Sequence, residues 1–220
     1  MTSTTTAGAG YRSSTGAGRW YALAVLTVVY ALNIADRFVV ATLLEPTRLE
    51  LRLTDSSIAL ISSTALALFY ISVGMPVAML ADRANRRNIV ALSLALWSAM
   101  TALCGTAHSV LQLVLARFGV GIGEAGGTPP STSTAADKFA ARDRPMAMTV
   151  FALGAPLGAW LGAQLAGAVV ERFGWRAAFL VLGIPGLLVA MLVNFAVREP
   201  VRGGYDAMVA SQQRARCDPR

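Results

Sequence analysis

Apolar residues in this chain gather into continuous runs. Six runs are legible: Trp20 to Leu44, Ser57 to Ala81, Asn88 to Ala107, Val110 to Ala135, Met146 to Val170, and Trp175 to Val197. Each is about 20 residues or a little more, the length that crosses about 30 Å of hydrocarbon at 1.5 Å per residue. A soluble core would show short apolar stripes backed by polar faces, and the strands of a membrane barrel would alternate with period two. The pattern therefore predicts an all-α membrane protein with six transmembrane helices over residues 20–198. Arg12 and Arg19 ahead of Trp20 to Ile34 look like the opening of a signal peptide. Apolar character resumes at Phe38 to Leu44, however, with no small-x-small cleavage site before it, so the run reads as a span. Residues 1–19, rich in Ser, Thr, Gly and Ala, read as a disordered tail. Residues 199–220 read as a polar tail.

Composition supports this reading, with 55% hydrophobic and 14% charged residues. The charges that remain fix an orientation. With an even number of spans, one side holds Arg12, Arg19, Arg83, Arg86, Arg87, Lys138, Arg142, Arg144, Arg198, Arg202, Arg214, Arg216 and Arg220. The other holds only Arg48, Arg52, Arg172 and Arg176. The richer side is expected in the cytoplasm, which puts both termini there and the protein in the cell (inner) membrane. The net charge of +7 has the same origin. Nucleic-acid binding is excluded because the membrane would separate the basic loops. Cys104 in a span and Cys217 in the tail make neither a disulfide framework nor a metal site. His108, the single histidine, falls in a tight turn. With no metal set and no nucleophile–base pair, neither an enzyme nor a cofactor is expected.

The chemistry lies in charges inside the spans. Each costs about 2.5–3.5 kcal/mol on insertion scales, so their retention calls for a use. Arg117, Gly121, Glu124, Thr128 and Ser131 recur at helical spacing on one polar face, which should meet a wet cavity or a partner helix. Gly119, Gly123 and Gly127 form a second face of small residues, a close-contact row. Gly154, Gly158 and Gly162, with Pro156 among them, form another in the fifth run. Static packing and a moving contact are both open for these rows. Pro129 and Pro130 free backbone carbonyls that water or protein must satisfy. In the first run Asn33, Asp36 and Arg37 lie at mid-depth. Asp36 is about 24 Å past Trp20, and Arg117 and Glu124 lie about 10 and 21 Å from the opposite end. Asp36 thus falls between their levels. Asp36 with Arg117 and Arg37 with Glu124 are the pairs expected. A charge cluster that only orders the bundle, and an Arg37 that snorkels to the surface, are the alternatives. Burial raises a carboxyl pKa and a neighbouring Arg lowers it, so Asp36 or Glu124 could carry a proton. Which of them titrates is left open.

The loop sequence AMLADRANRRNIV resembles the loop motif of the major facilitator superfamily, G-x-L-a-D-r-x-g-r-k/r. Asp82 matches the aspartate, and Arg83, Arg86 and Arg87 match the basic positions. Ala78 and Asn85 stand where the motif has glycines. LVLARFGVGIGEA resembles the fourth-helix motif through Arg117, Gly119, Gly121 and Gly123. FALGAPLGAWLGAQLAG resembles the fifth-helix pattern through Gly154, Pro156, Gly158 and Gly162. NIADRFVV taken with GIGEA is most like the Spinster-like branch. The resemblance covers residues 20–200, one amino-terminal half. It implies half of a twelve-helix fold, six helices arranged as two inverted three-helix repeats. It also implies secondary transport of a small or amphipathic solute by alternating access, with protons as a candidate coupling ion. Asn33, Asp36, Arg37, Arg117, Glu124 and Thr128 are the candidate pathway.

No seventh apolar run follows Val197. Two readings follow. One is transport by a homodimer, or by a longer protein of which this is one half. The other is a truncated, non-transporting membrane protein that is inactive or acts through a partner. Beyond the lipid bilayer, the partners are an unidentified solute and that second body.

Overall fold

A computed structural model of the chain describes residues 16–62, 76 and 85–196. The regular structure among them is helical: α1 (Gly16–Leu51), α2 (Asp55–Ser62), α3 (Arg86–Cys104), α4 (Val110–Ala125), α5 (Thr128–Asp137), α6 (Arg144–Ala152) and α7 (Gly154–Ala196). Among the described residues, three helical stretches are long and apolar enough to cross a membrane: Gly18–Leu51, Arg86–Cys104 and Arg144–Phe195. The second apolar run lies mostly outside the described residues, with α2 at its start. Asp82 and Arg83 of the loop motif lie outside them too, as does the tail at 199–220.

Several boundaries differ from expectation, each for a local reason. Helix α1 begins at Gly16, so the tail expected over 1–19 is helical at its end. It also runs past Leu44 and through Pro46 to Leu51, where Arg52 takes a left-handed φ of 52°. The fourth run is broken rather than continuous. Helix α4 stops at Ala125, and α5 starts at Thr128 with a proline in its first turn. Prolines cannot donate to the preceding turn and are at home at a helix start. Two hydroxyls of α5 fold back onto its start. Ser131 donates its hydroxyl to the Gly127 carbonyl at 2.6 Å, and Thr132 to that of Thr128 at 2.6 Å. Pro156 has the same effect between α6 and α7, whose junction is Leu153. The fifth run accordingly begins at Arg144, not Met146.

Helix α7 contains most of the fifth run and the sixth. At 1.5 Å per residue its 43 residues would extend about 65 Å, more than the full thickness of a bilayer. The chain breaks at Gly174, with φ 79° and ψ 170°, a region open essentially to glycine alone. Before the break α7 runs alongside α1 in the same direction. A Cβ added to Gly154, Gly158 or Gly162 would meet the carbonyl oxygens of Thr27, Ala31 and Ala35 in turn. After it α7 runs against α3, with Gly183 on Ser98 and Ala102 and Gly186 on Ser98. The row Gly119, Gly123 and Gly127 seats α4 on Met100 and Trp97 of α3. Both predicted glycine rows are therefore spent inside this bundle. They are not free faces for a second copy of the chain.

Burial divides into two apolar clusters. One gathers Leu23, Leu26, Val29, Leu94, Trp97, Val120, Phe139, Phe151 and Val193. The other gathers Val39, Val40, Leu43, Cys104, Leu113, Trp175 and Phe179. The outer surface carries exposed Leu92, Leu111, Leu115, Trp160, Leu188 and Phe195, the dressing a lipid-facing surface needs.

Candidate functional site

Between the two apolar clusters lies one polar layer. On α1 it falls at Asn33, Asp36 and Arg37, after Val29 of one cluster and before Val39 of the other. On α4 it falls at Arg117, between Ala116 and Val120, and continues to Glu124. On α3 it is Thr101, between Trp97 and Cys104. Three helices thus bring their polar residues to the same level.

Asp36 and Arg117 are each 1% exposed and pair at 2.7 Å. Arg117 donates through Nη1 to Asp36 Oδ2, and the Thr101 hydroxyl donates to Asp36 Oδ1 at 2.7 Å. Both carboxylate oxygens are therefore engaged by short, charge-assisted bonds. Arg37 donates through Nη2 to Glu124 Oε2 at 2.9 Å. Glu124 is buried, whereas the Arg37 side chain is 50% exposed, which leaves the site open on one side. These are the two pairings that helix depth called for. Arg37 reaches inward to Glu124 rather than snorkelling away. The pairs sense each other, since Glu124 lies in the fields of Asp36, Arg37 and Arg117. Burying such ions is tolerable only because each has a partner; removing one partner from a buried pair costs about 3–5 kcal/mol.

Some capacity in the layer is unused. Asn33 Nδ2, Arg117 Nε, Glu124 Oε1 and Thr134 Oγ1 are buried without a hydrogen-bond partner, where an orphaned polar group costs about 1–3 kcal/mol. Asn33 and Thr128 line a cleft with Tyr30, Trp97, Ser131 and Phe151, and Tyr30 stacks on Phe151 at 4.8 Å. Among the described residues no cluster of His, Cys, Asp and Glu could hold a metal ion.

The remaining predicted residues sit at one end of the bundle or in the helix contacts. Arg86, in the first turn of α3, donates to Asp137 at the end of α5 at 2.7 Å. Arg87 donates to the Asn88 side chain. Asn85, standing where the motif has glycine, caps α3 by accepting from the Asn88 amide. Pro156 is exposed near the start of α7. Close by, Arg144 donates to the carbonyls of Ala136 and Phe139, and Arg19 lies over the Phe139 ring. Burial holds the Lys138 amine below the ordinary lysine range.

Three features escaped the sequence reading. Thr101 is one; Ser98 and Thr101, three apart in an otherwise apolar run, were the available signal. Gly183 and Gly186 are another. The third is a cluster at the opposite end of the bundle. There Glu50 accepts from Trp175 Nε1 at 2.6 Å and from Arg176, which also donates to the Ala107 carbonyl and stacks on Trp175. This ties α1, the α3–α4 turn and the Gly174 break together. His108, in the same turn, is exposed.

The family model described as Major Facilitator Superfamily matches residues 26–213. The chain belongs to the major facilitator superfamily. That family is one of integral membrane transporters, not of enzymes. The chain is 36% identical over 178 residues to an MFS-type efflux pump of Mycolicibacterium smegmatis, covering 81% of this chain and 42% of that one. It is 32% identical over 189 residues to a sphingosine-1-phosphate transporter of Danio rerio, covering 84% of this chain and 37% of the relative. A crystal structure of a bacterial homologue of the human lysosomal transporter Spinster, inward-facing and occupied, superposes with a TM-score of 0.83. It shares 34% identity and covers 88% of this chain and 47% of that one. Within the superfamily the chain is therefore Spinster-like. It spans less than half the length of the curated relatives it matches.

Proposed function

We propose that this chain forms the amino-terminal body of a secondary transporter that moves a small or amphipathic solute by alternating access, with protons as the coupling ion. The observation that carries the reading is the buried Asp36–Arg117 pair beside the half-open Arg37–Glu124 pair. On this reading six helices cross the membrane as two inverted three-helix repeats, with both termini in the cytoplasm. The parallel run of α1 with the first part of α7 and the antiparallel run of α3 with the second part support that arrangement. The exposed side of Arg37 faces a second six-helix body, either a further half of the same protein or a second copy. The coverage of less than half of the relatives favours a requirement for that body. Aromatic Tyr30, Trp97 and Phe151 next to Asn33, Thr128 and Ser131 suit a solute with an apolar body and a polar group. A protonation change at Asp36 or Glu124 would loosen its bond to arginine and so bias the bundle between two states.

The test is uptake of ethidium and of sphingosine 1-phosphate into vesicles under an imposed pH gradient, using Asp36→Asn and the double change Asp36→Asn with Arg117→Gln. Loss of pH-driven uptake in both variants, with stability recovered only in the double, is the expected result. Recovery of uptake together with stability would reduce the pair to a structural one.

A further inference from the structure

We propose that Thr101 is a positioning residue for the proton site: its hydroxyl orients the Asp36 carboxylate and helps set the pH at which that carboxylate takes up a proton. The inference rests on the reading of Asp36 as a proton carrier.

The geometry is specific. Asp36 has two oxygens and two donors, with Arg117 on Oδ2 and Thr101 on Oδ1, each at 2.7 Å. Thr101 is 1% exposed, so no bulk water competes for the bond. A hydroxyl that donates to a carboxylate favours the ionised form over the protonated one. It also fixes the plane of the carboxylate, and so keeps Oδ2 directed at Arg117.

The sequence holds Thr101 in place from behind. Gly183 and Gly186 bring the second part of α7 against α3. A Cβ at Gly186 would stand 2.2 Å from Ser98 Oγ, and one at Gly183 would stand 2.7 Å from the Ser98 carbonyl oxygen and the Ala102 nitrogen. Helix α3 is thereby fixed against α7 on either side of Thr101. What remains between α1, α3 and α7 is a narrow cleft lined by Leu32, Asp36, Ser98, Thr101, Gly183 and Gly186 among others. Among the described residues, the charged or titratable groups facing Asp36 are Arg117 and Glu124 from α4, Cys104 from α3 and Arg37 on its own helix. From α7 it meets Leu182, Gly183 and Gly186, which do not titrate. Thr101 is thus the neutral group that touches the carboxylate directly.

Dicyclohexylcarbodiimide, which modifies protonated carboxyl groups in apolar surroundings, reports the site without transport. Modification of Asp36 is followed by peptide mass spectrometry from pH 5 to 9, with Asp36→Asn as the assignment control. Thr101→Val, which keeps the shape and removes the donor, should move half-modification alkaline by about one to two pH units, a 10- to 100-fold gain in proton affinity. Thr101→Ser should restore the wild-type midpoint. Should the valine variant not fold, Thr101→Ala carries the same comparison against Thr101→Ser. Unchanged midpoints, with Asp36 titrating normally, overturn the role of Thr101 and leave the proton site standing. Absence of any Asp36 titration in every variant overturns both.

Discussion

The contact between α1 and α7 makes a quantitative prediction at Gly158. A Cβ there would lie 2.2 Å from the Ala31 carbonyl oxygen and 2.9 Å from its carbonyl carbon and Cα, where ordinary contact begins at 3.4 Å. All three atoms are backbone, so no rotamer change can make room. Gly158→Ala must push α7 away from α1 by roughly 1 Å, enough to forfeit a quarter to a half of the dispersion attraction between the facing atoms. Overpacking of this kind costs about 1–3 kcal/mol. Alanine returns up to about 1 kcal/mol through its helix propensity. The control is Gly167→Ala, because a Cβ there meets nothing within 4 Å. Propensity cancels between the two variants, and the difference of about 1–3 kcal/mol is the clash. Unfolding in detergent micelles can be read by thiol modification of the buried Cys104, with Cys217 replaced by serine. Equal midpoints for Gly158→Ala and Gly167→Ala would refute the claim that this helix pair touches backbone to backbone.

Two further predictions concern charge. Burial holds the Lys138 amine below its usual range, so between that depressed value and about 10.4 the unfolded chain binds more protons than the folded one. Stability must then rise with pH across that window. The difference in stability between wild type and Lys138→Met should therefore move in favour of wild type on going alkaline, and a constant difference would contradict the assignment. For orientation, a cysteine at Ser13 in an otherwise cysteine-free protein should resist an impermeant thiol reagent in intact cells; ready labelling would invert every loop assignment.

How much of this was legible in the sequence depended on which distances the helix fixes by itself. The Asp36–Arg117 and Arg37–Glu124 pairings followed from rise per residue and the positions of the run ends, because depth in a bundle is nearly one-dimensional. The glycine spacings were equally plain, but a spacing names a face and not its neighbour. Gly154, Gly158 and Gly162 turned out to serve α1, and Gly119 and Gly123 to serve α3. Breaks within apolar runs were harder. Hydropathy is blind to the α4–α5 interruption, which depends on the missing amide hydrogens of Pro129 and Pro130. The Glu50–Trp175–Arg176 cluster was out of reach for another reason. Its partners are 125 and 126 residues apart, and no periodicity links one helix end to another.

Thr101 shows where such reading stops short. A threonine in a membrane helix ordinarily returns its hydroxyl to a carbonyl one turn back, as Thr27 and Thr47 do here. Nothing in the composition of LWSAMTALC distinguishes Thr101 from those. It differs because Gly183 and Gly186 bring α7 close behind α3, and because Asp36 sits at the same depth on α1 with one oxygen left over after Arg117. A residue's chemistry in this bundle is therefore set by which polar group shares its level. The Asp36–Arg117 pair, each side chain 1% exposed, lies at the level between the two apolar clusters. Moving Asp36 by one helical turn, about 5.4 Å, to the position of Val40 would place it in an apolar cluster. The layer must then be kept or lost as a unit, and single substitutions within it should be strongly non-additive.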